Sequence, residues 1–165
     1  MKVFGVTGHK NMGKTTLVER LVAHFRAQGL SVSTIKHTHH AVDLEVPGTD
    51  THRHRAAGAG EVILASGARV AILQEREGTE PEVPELLARL SPVDLVLIEG
   101  YKKSPHPKIE VWRPAEPGLK PPLATTYDSI IATAGQPVDG LAHFGADDIA
   151  GIAAFMLDHA EEVTQ

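Results

Sequence analysis

Apolar residues in the first third of the chain follow two different spacings. Residues 2–7 are rich in Val and Phe and end just before a glycine, which predicts a short buried strand. The next apolar residues recur at helical spacing and are Leu17, Val18, Leu21, Val22 and Phe25. They predict a helix over residues 14–28 that Gly29 ends. Residues 31–37 are rich in β-branched side chains and predict a second strand, so the order strand, glycine loop, helix, strand predicts a parallel βαβ unit.

The remaining apolar segments extend this unit into a larger sheet. Further strands are predicted at residues 61–66, 69–75, 94–100, 108–114 and 129–135, and further helices at 51–57, 84–90 and 146–159. The first two of these strands are separated by a glycine turn, which favours a hairpin. The prediction is a single α/β domain over residues 1–165, a three-layer sandwich around a mostly parallel sheet with at least one antiparallel strand or hairpin.

Composition limits the classes of function. The chain has 165 residues, of which 42% are hydrophobic, enough for a sizeable core. A formal net charge of −5 argues against a broad nucleic-acid surface, and the absence of cysteine excludes disulfides and thiolate metal sites. The first apolar run is too short for a signal peptide or a membrane span. We therefore expect a cytoplasmic protein that binds neither nucleic acid nor membrane.

The glycine-rich segment between the first strand and the first helix carries the most specific motif. Its sequence, GHKNMGKTT, fits G-x-x-x-x-G-K-[ST] and predicts a P-loop NTPase. The predicted nucleotide-binding residues are Gly8, His9, Lys10, Asn11, Met12, Gly13, Lys14, Thr15 and Thr16. Their backbone N–H groups can face one anion at the positive end of the helix. Lys14 is expected to act on the β- and γ-phosphates, and the Thr15 hydroxyl to bind Mg²⁺.

A second carboxylate is expected to hold the Mg²⁺ through water. Segment 94–100 offers Asp94 and Glu99, which an extended strand places roughly 16 Å apart. Ligands of open α/β sheets bind at the carboxyl ends of the strands, and Glu99 lies at that end. We therefore predict Glu99 as the acidic partner and Asp94 as a solvated turn residue.

A histidine-rich segment follows the second strand. We predict that His37, His39 and His40 lie near the γ-phosphate and that Asp50 positions the attacking water, with Asp43 as a second candidate. Imidazole also suits Zn²⁺ or Ni²⁺, so a transition-metal site is an alternative, as is a solvated loop without a role.

The ordered motifs resemble a known family. GHKNMGKTTL, then KHTHH followed by GTDTHRHRAAGA, then DLVLIEGYK and PKIEVWR are similar to the molybdopterin-guanine dinucleotide biosynthesis adapter protein family, MobB, of the SIMIBI group of P-loop NTPases. The resemblance covers residues 2–113 and resumes more weakly in the final helix. It differs at Thr49, where relatives often carry lysine.

The resemblance implies a GTP-binding adapter with weak intrinsic GTPase activity, GTP and Mg²⁺ as ligands, and a homodimer. It also implies the molybdenum cofactor guanylyltransferase as partner, with the molybdopterin cofactor as a second candidate. Among the site residues it assigns the phosphate site to Gly8 and residues 11–16 and the Walker B acid to Glu99. It assigns the histidine loop to His37, His39 and His40, with an acidic position at Asp50.

Two alternatives to this function stay open. The residues do not decide whether the base is guanine, because the NKxD and TKxD motifs that recognise guanine in many GTPases are absent. Residues 131–137 are a candidate base pocket. A small-molecule kinase using ATP or GTP is therefore the alternative function. A metal-insertion GTPase is a third class, disfavoured by the lack of cysteine. Lys102, Lys103 and Lys108 form a basic cluster that suits an acidic cofactor or partner.

Overall fold

The computed structural model describes residues 1–38, 42–113 and 120–164. In chain order the elements are β1 (Lys2–Thr7), α1 (Lys14–Ala27), β2 (Val32–Lys36), α2 (Asp50–Ala56), β3 (Glu61–Ala65), β4 (Val70–Gln74), α3 (Val83–Leu87), β5 (Leu95–Glu99), β6 (Lys108–Trp112), a 3₁₀ turn (Leu123–Thr125), β7 (Ile130–Gly135), β8 (Ala142–Phe144), α4 (Ile149–His159) and β9 (Glu161–Glu162). Among the described residues, no helix combines the length and apolar character needed to cross a membrane.

The described residues form two compact units. The first comprises Met1–Thr38 and Glu82–Gln165, and the second comprises His39–Pro81. The sheet of the first unit has the order β2-β5-β1-β6-β7-β8, and these neighbours are all parallel. Strand β9 adds an antiparallel pair at the start of β1. The second unit contains the antiparallel hairpin of β3 and β4 and the helix α2. The predicted α/β fold with a mostly parallel sheet and a hairpin is confirmed.

Alternation of side chains along β1 explains the three layers of the first unit. Phe4 and Val6 pack into one apolar cluster with helices α1 and α4, whereas Val3 packs into a second cluster with α3. Every residue of β5 is buried, as is typical of a strand whose apolar residues are nearly continuous. The core thus fixes β1 and β5 side by side at the centre of the sheet, and the loops that leave their carboxyl ends share one edge.

The short strands β8 and β9 and the 3₁₀ turn were not predicted. They span three, two and three residues, which is too short for a periodic pattern to show in the sequence. Their conformation depends on the pairing that the neighbouring elements offer, because β8 pairs with β7 and β9 pairs with β1.

Candidate functional site

The loop between β1 and α1 has the backbone conformation of an anion cradle. Gly8, Asn11 and Gly13 have positive φ angles of 141°, 64° and 92°. Changes of backbone handedness of this kind turn successive N–H groups towards one side of the chain. Helix α1 starts directly after Gly13 and directs the positive end of its dipole to the same place. The Met12 side chain is buried in the core, so Met12 can offer a ligand only its backbone.

Strand β6 supports the first residue of this loop. A β-carbon on Gly8 would lie 2.5 Å from the carbonyl oxygen of Val111, closer than any side chain permits. The loop therefore begins in contact with the backbone of β6, and the close approach requires glycine. The register Thr7↔Glu110 between β1 and β6 produces this contact.

Strand register also places Glu99 beside the P-loop. Glu99 is the last residue of β5 and lies opposite Val6 of β1 and Lys36 of β2. Its carboxylate accepts a hydrogen bond from the Thr15 hydroxyl, with distances of 2.9 Å and 3.2 Å to its two oxygens. Glu99 is only 7% exposed. The structure thus brings together two predicted magnesium residues that are 84 positions apart in the sequence.

Lys36 lies against both of these side chains. Its Nζ donates a hydrogen bond to Thr15 Oγ1 at 3.2 Å and lies 3.4 Å from Glu99 Oε1. The Lys36 ammonium group therefore lies beside the Thr15 hydroxyl and the Glu99 carboxylate, a position in which these oxygens stabilise a cation. Hydroxyl and carboxylate oxygens are the donors that Mg²⁺ prefers, so these residues fit a Mg²⁺ ion. Thr15 would bind the ion directly, and Glu99 would hold it directly or through water.

Lys14 is folded back onto the P-loop. Its Nζ donates a hydrogen bond to the His9 carbonyl oxygen at 2.6 Å. Burial lowers the pKa of Lys14 from its ordinary value; the carboxylate of Glu99 opposes this shift and the charge of Lys36 adds to it. A bound polyphosphate would raise the pKa of Lys14 again, because an adjacent anion stabilises the charged ammonium.

The predicted histidine and aspartate residues fall in different places. His37 directly follows β2; its backbone N–H donates to the Glu99 carbonyl oxygen at 2.9 Å, and its ring lies 4.5 Å from that of Tyr101. His39 and His40 lie outside the described residues. Asp50 begins α2 in the second unit and lies 4.0 Å from Arg53. Within the described part of the chain, no three His, Asp or Glu side chains form a metal-binding group.

The side of the P-loop facing β6 carries further polar contacts. A His9 ring nitrogen lies 2.9 Å from the carbonyl oxygen of Pro121, and the His9 ring lies 6.1 Å from that of Trp112. Gln136, which follows β7, donates its backbone N–H to the Trp112 carbonyl oxygen at 2.8 Å. The candidate base pocket at residues 131–137 thus begins inside β7 and leaves the sheet next to the end of β6.

The sequence analysis did not select Lys36 and Arg113 as site residues. Lys36 is the last residue of β2 and the next to last of the strand predicted at residues 31–37, so the rule that ligands bind at carboxyl ends of strands would have pointed to it. The predicted basic cluster needs a correction, because Lys108 is fully buried in β6 and only Lys102 and Lys103 reach the surface. The pairing of β6 with β1 places Lys108 against Gly5, inside the sheet.

Comparisons with known proteins agree on one family. The sequence model of the family described as "Molybdopterin guanine dinucleotide synthesis protein B" matches residues 3–136. The chain is 37% identical over 135 residues to the molybdopterin-guanine dinucleotide biosynthesis adapter protein of Haemophilus influenzae, covering 80% of this chain and 73% of the relative. It is 34% identical over 151 residues to the adapter protein of Escherichia coli, covering 88% and 86%.

Solved structures give the same result. The crystal structure of Bacillus subtilis MobB superposes with a TM-score of 0.75 at 27% identity, covering 98% of this chain and 99% of that one. A crystal structure of molybdopterin-guanine biosynthesis protein B superposes with a TM-score of 0.70 at 28% identity, covering 94% and 98%.

Proposed function

The chain belongs to the molybdopterin guanine dinucleotide synthesis protein B (MobB) family, and from this premise we propose that it is a GTP-binding adapter in molybdenum cofactor biosynthesis. In this proposal it has weak intrinsic GTPase activity and assists the guanylyltransferase that attaches GMP to molybdopterin. The observation that carries the proposal is the hydrogen bond from Thr15 of the P-loop to Glu99 of β5, with Lys36 against both.

The proposed roles of the P-loop residues and Glu99 follow from these positions, whereas those of the histidines and Asp50 rest on the sequence alone. The backbone of residues 8–16 binds the phosphates, with Lys14 turning from the His9 carbonyl towards the β- and γ-phosphates. A Mg²⁺ ion held by Thr15 and Glu99 would, when bound, neutralise negative charge on the phosphates. His37, His39, His40 and Asp50 are proposed to act around the terminal phosphate, with Asp50 orienting the attacking water.

The hairpin of β3 and β4 supports the proposed homodimer. Ile63 and Ile72 are register partners on one face of the hairpin, and they are 59% and 58% exposed. Val70 lies on the same face and is 61% exposed. A two-stranded hairpin with this much exposed apolar surface is marginal in water, so a second copy of the chain that covers it would stabilise it.

The proposed partner and location complete this function. Lys102 and Lys103 follow the Glu99 strand end at the surface and are the proposed contacts for the guanylyltransferase or for the anionic molybdopterin cofactor. GTP is a cytoplasmic metabolite, and the proposed location is therefore the cytoplasm. The small-molecule kinase considered from the sequence gains no support from the comparisons, in which the relatives are named adapter proteins.

Calorimetric titration with GTP, GDP and ATP in the presence of Mg²⁺ tests the nucleotide site. We expect GTP to bind, and Lys14→Ala to weaken it by about tenfold to a hundredfold, because a charge-assisted contact is lost. Lys103→Ala, which removes a surface lysine outside the P-loop, is the control and is expected to bind GTP like the wild type. Unchanged GTP affinity in a folded Lys14→Ala variant would contradict the assignment.

Turnover separates the adapter from the kinase. We expect GTP hydrolysis far below the ~1–100 s⁻¹ typical of kinases, with no phosphorylated small molecule formed. Repeating the titration beside the guanylyltransferase tests the adapter role, for which we expect a complex of the two proteins. Rapid phosphoryl transfer to a metabolite would establish the kinase instead.

A further inference from the structure

Arg113 lies beside the P-loop although it comes from a different strand. It directly follows β6, and a β-carbon on Gly13 would lie 3.6 Å from its Nη1 and 3.8 Å from its Cζ. Gly13 is the N-cap of α1, and its backbone belongs to the predicted phosphate cradle. The guanidinium group of Arg113 is therefore adjacent to the place where a bound anion would lie.

The ends of β6 and β7 fix the course of the Arg113 side chain. A β-carbon on Gly135, the last residue of β7, would lie 2.9 Å from Arg113 Cγ and 2.5 Å from the Trp112 carbonyl oxygen. Glycine at this position leaves the space through which Arg113 passes towards Gly13. The hydrogen bond from the Gln136 N–H to the Trp112 carbonyl oxygen holds the two strand ends together.

The electrostatic surroundings of Arg113 favour the binding of an anion. Its guanidinium lies at the positive end of the α1 dipole, which repels a cation. Within the described residues Arg113 makes no salt bridge. Its charge helps to lower the pKa of Asp147, but the larger cause is the hydrogen bond from Arg20 Nη1 to Asp147 Oδ1, at 2.5 Å. A bound phosphate would supply the missing negative charge.

Strand order indicates which phosphate Arg113 would contact. Thr15, Glu99 and Lys36 lie on the side of β1 that faces β5, and Thr15 and Glu99 are the residues that would hold Mg²⁺ for the β- and γ-phosphates. Arg113 follows β6, which pairs with the opposite edge of β1. We propose that Arg113 is a further nucleotide-binding residue that contacts the α-phosphate, on the nucleoside side of the cradle. This inference rests on the proposed nucleotide site and adds a residue to it.

Calorimetry with GDP and GTP on the full chain tests the inference. The variants are Arg113→Ala, Arg113→Lys and the control Arg26→Ala, which removes an exposed arginine at the far end of α1. GDP and GTP share the α- and β-phosphates and differ only in the γ-phosphate. A contact on the nucleoside side of the cradle is therefore expected to make Arg113→Ala weaken both by the same factor, about tenfold or more. Arg113→Lys keeps the charge but loses the fork of donors, so we expect an intermediate loss. Lys14→Ala serves as the comparison, since its loss should be larger for GTP than for GDP.

The outcomes separate this inference from the function on which it rests. Equal losses for GDP and GTP in Arg113→Ala, with Arg26→Ala like the wild type, support it. Wild-type affinity for both nucleotides in Arg113→Ala, or a loss confined to GTP, overturns it while the nucleotide site stands. A wild-type protein that binds neither nucleotide overturns the proposed function and the inference together. Circular dichroism of each variant shows that the fold is retained.

Discussion

His106 and Lys108 are buried next to each other, against Gly5 of β1. Lys108 is fully buried, and its Nζ donates hydrogen bonds to the carbonyl oxygens of Ser104 and His106 and to the Ser129 hydroxyl, the last two at 2.7 Å and 3.1 Å. A β-carbon on Gly5 would lie 2.5 Å from Lys108 Cγ, so glycine in β1 makes room for the lysine. Lys108 thereby ties down the loop that connects Glu99 to β6.

The imidazole of His106 is buried without a hydrogen-bond partner for either ring nitrogen in the described chain. Burial, with a smaller contribution from the charge of Lys108, lowers the pKa of His106 from 6.5 to about 3. Below pH 6.5 the His106 imidazole therefore binds a proton in the unfolded chain but stays neutral in the folded state until the pH approaches 3. Stability contributed by neutral His106 is complete above pH 6.5 and is lost as the pH falls from 6.5 towards 3.

Acid lability provides a test at this scale. When the pH is lowered from 7 to 5, titration of His106 is expected to reduce the unfolding free energy of the wild type by about 2 kcal/mol. Each pH unit below the unfolded pKa of His106 reduces it by about 1.4 kcal/mol. His106→Leu removes the titrating group and should lose about 2 kcal/mol less than the wild type over this range. Urea denaturation at both pH values measures the difference. The exposed His143→Leu variant is the control, and a matching pH response in His106→Leu and wild type would refute the prediction.

At the scale of elements, the P-loop depends on contacts outside its own motif. The motif predicted a glycine loop between a strand and a helix, and β1 and α1 flank it as expected. The sequence did not indicate that Gly8 touches the backbone of β6, because this contact joins residues about 100 positions apart. Pairing of β6 with β1 therefore sets the shape of the phosphate cradle as much as the glycines do.

Gly8→Ala tests this dependence, with Gly29→Ala as the matched control. Both glycines have positive φ angles, 141° and 85°, but a β-carbon on Gly29 would meet nothing within 4 Å. We expect Gly29→Ala to cost about 1 kcal/mol of stability from backbone strain alone and to leave nucleotide affinity unchanged. Gly8→Ala should cost more stability and should also abolish nucleotide binding, because the added carbon displaces the loop from Val111.

Urea denaturation and calorimetric titration with GTP measure both quantities on both variants. Equal losses of stability in the two variants would show that the contact with β6 carries no strain. Wild-type GTP affinity in Gly8→Ala would show that the cradle tolerates its displacement. Either result would contradict the role assigned to Val111.

At the scale of the whole molecule, the exposed apolar residues are concentrated in the second unit. The large hydrophobic residues that stay exposed in the described chain are Val42, Leu44, Val46, Ile63, Leu64, Val70 and Ile72. All of them belong to the unit His39–Pro81. The first unit buries its large apolar side chains in its own core, whereas the hairpin of the second unit leaves both strands partly uncovered. This contrast favours a protein partner for the hairpin, and a homodimer is the proposed form.

Sedimentation of an interface variant tests the homodimer. We expect the wild type to sediment as a dimer and Ile72→Asp to sediment as a monomer, since a carboxylate in the centre of an apolar contact would be buried without a partner. Ala154→Asp, on the exposed side of α4, introduces the same charge elsewhere and should leave the dimer intact. A monomeric wild type, or a dimeric Ile72→Asp, would contradict the proposal.

Local sequence determined the elements that depend on neighbouring residues. The P-loop, the helix after it and the buried strand that ends at Glu99 were predicted, because their motif and periodicity lie within short segments. Those segments also predicted the α/β fold, and the ordered motifs indicated the family to which the chain belongs.

Tertiary structure alone decided how distant residues combine. Strand register pairs Lys36 with Glu99 and places Glu99 within hydrogen-bond distance of Thr15. It also places Arg113 beside Gly135 and next to Gly13 of the P-loop. The same pairing buried Lys108, which the sequence had placed in a basic cluster, and the hairpin left Ile63 and Ile72 exposed. A residue's spacing fixes which face of a strand it occupies, but only the packing of other elements decides whether that face is covered.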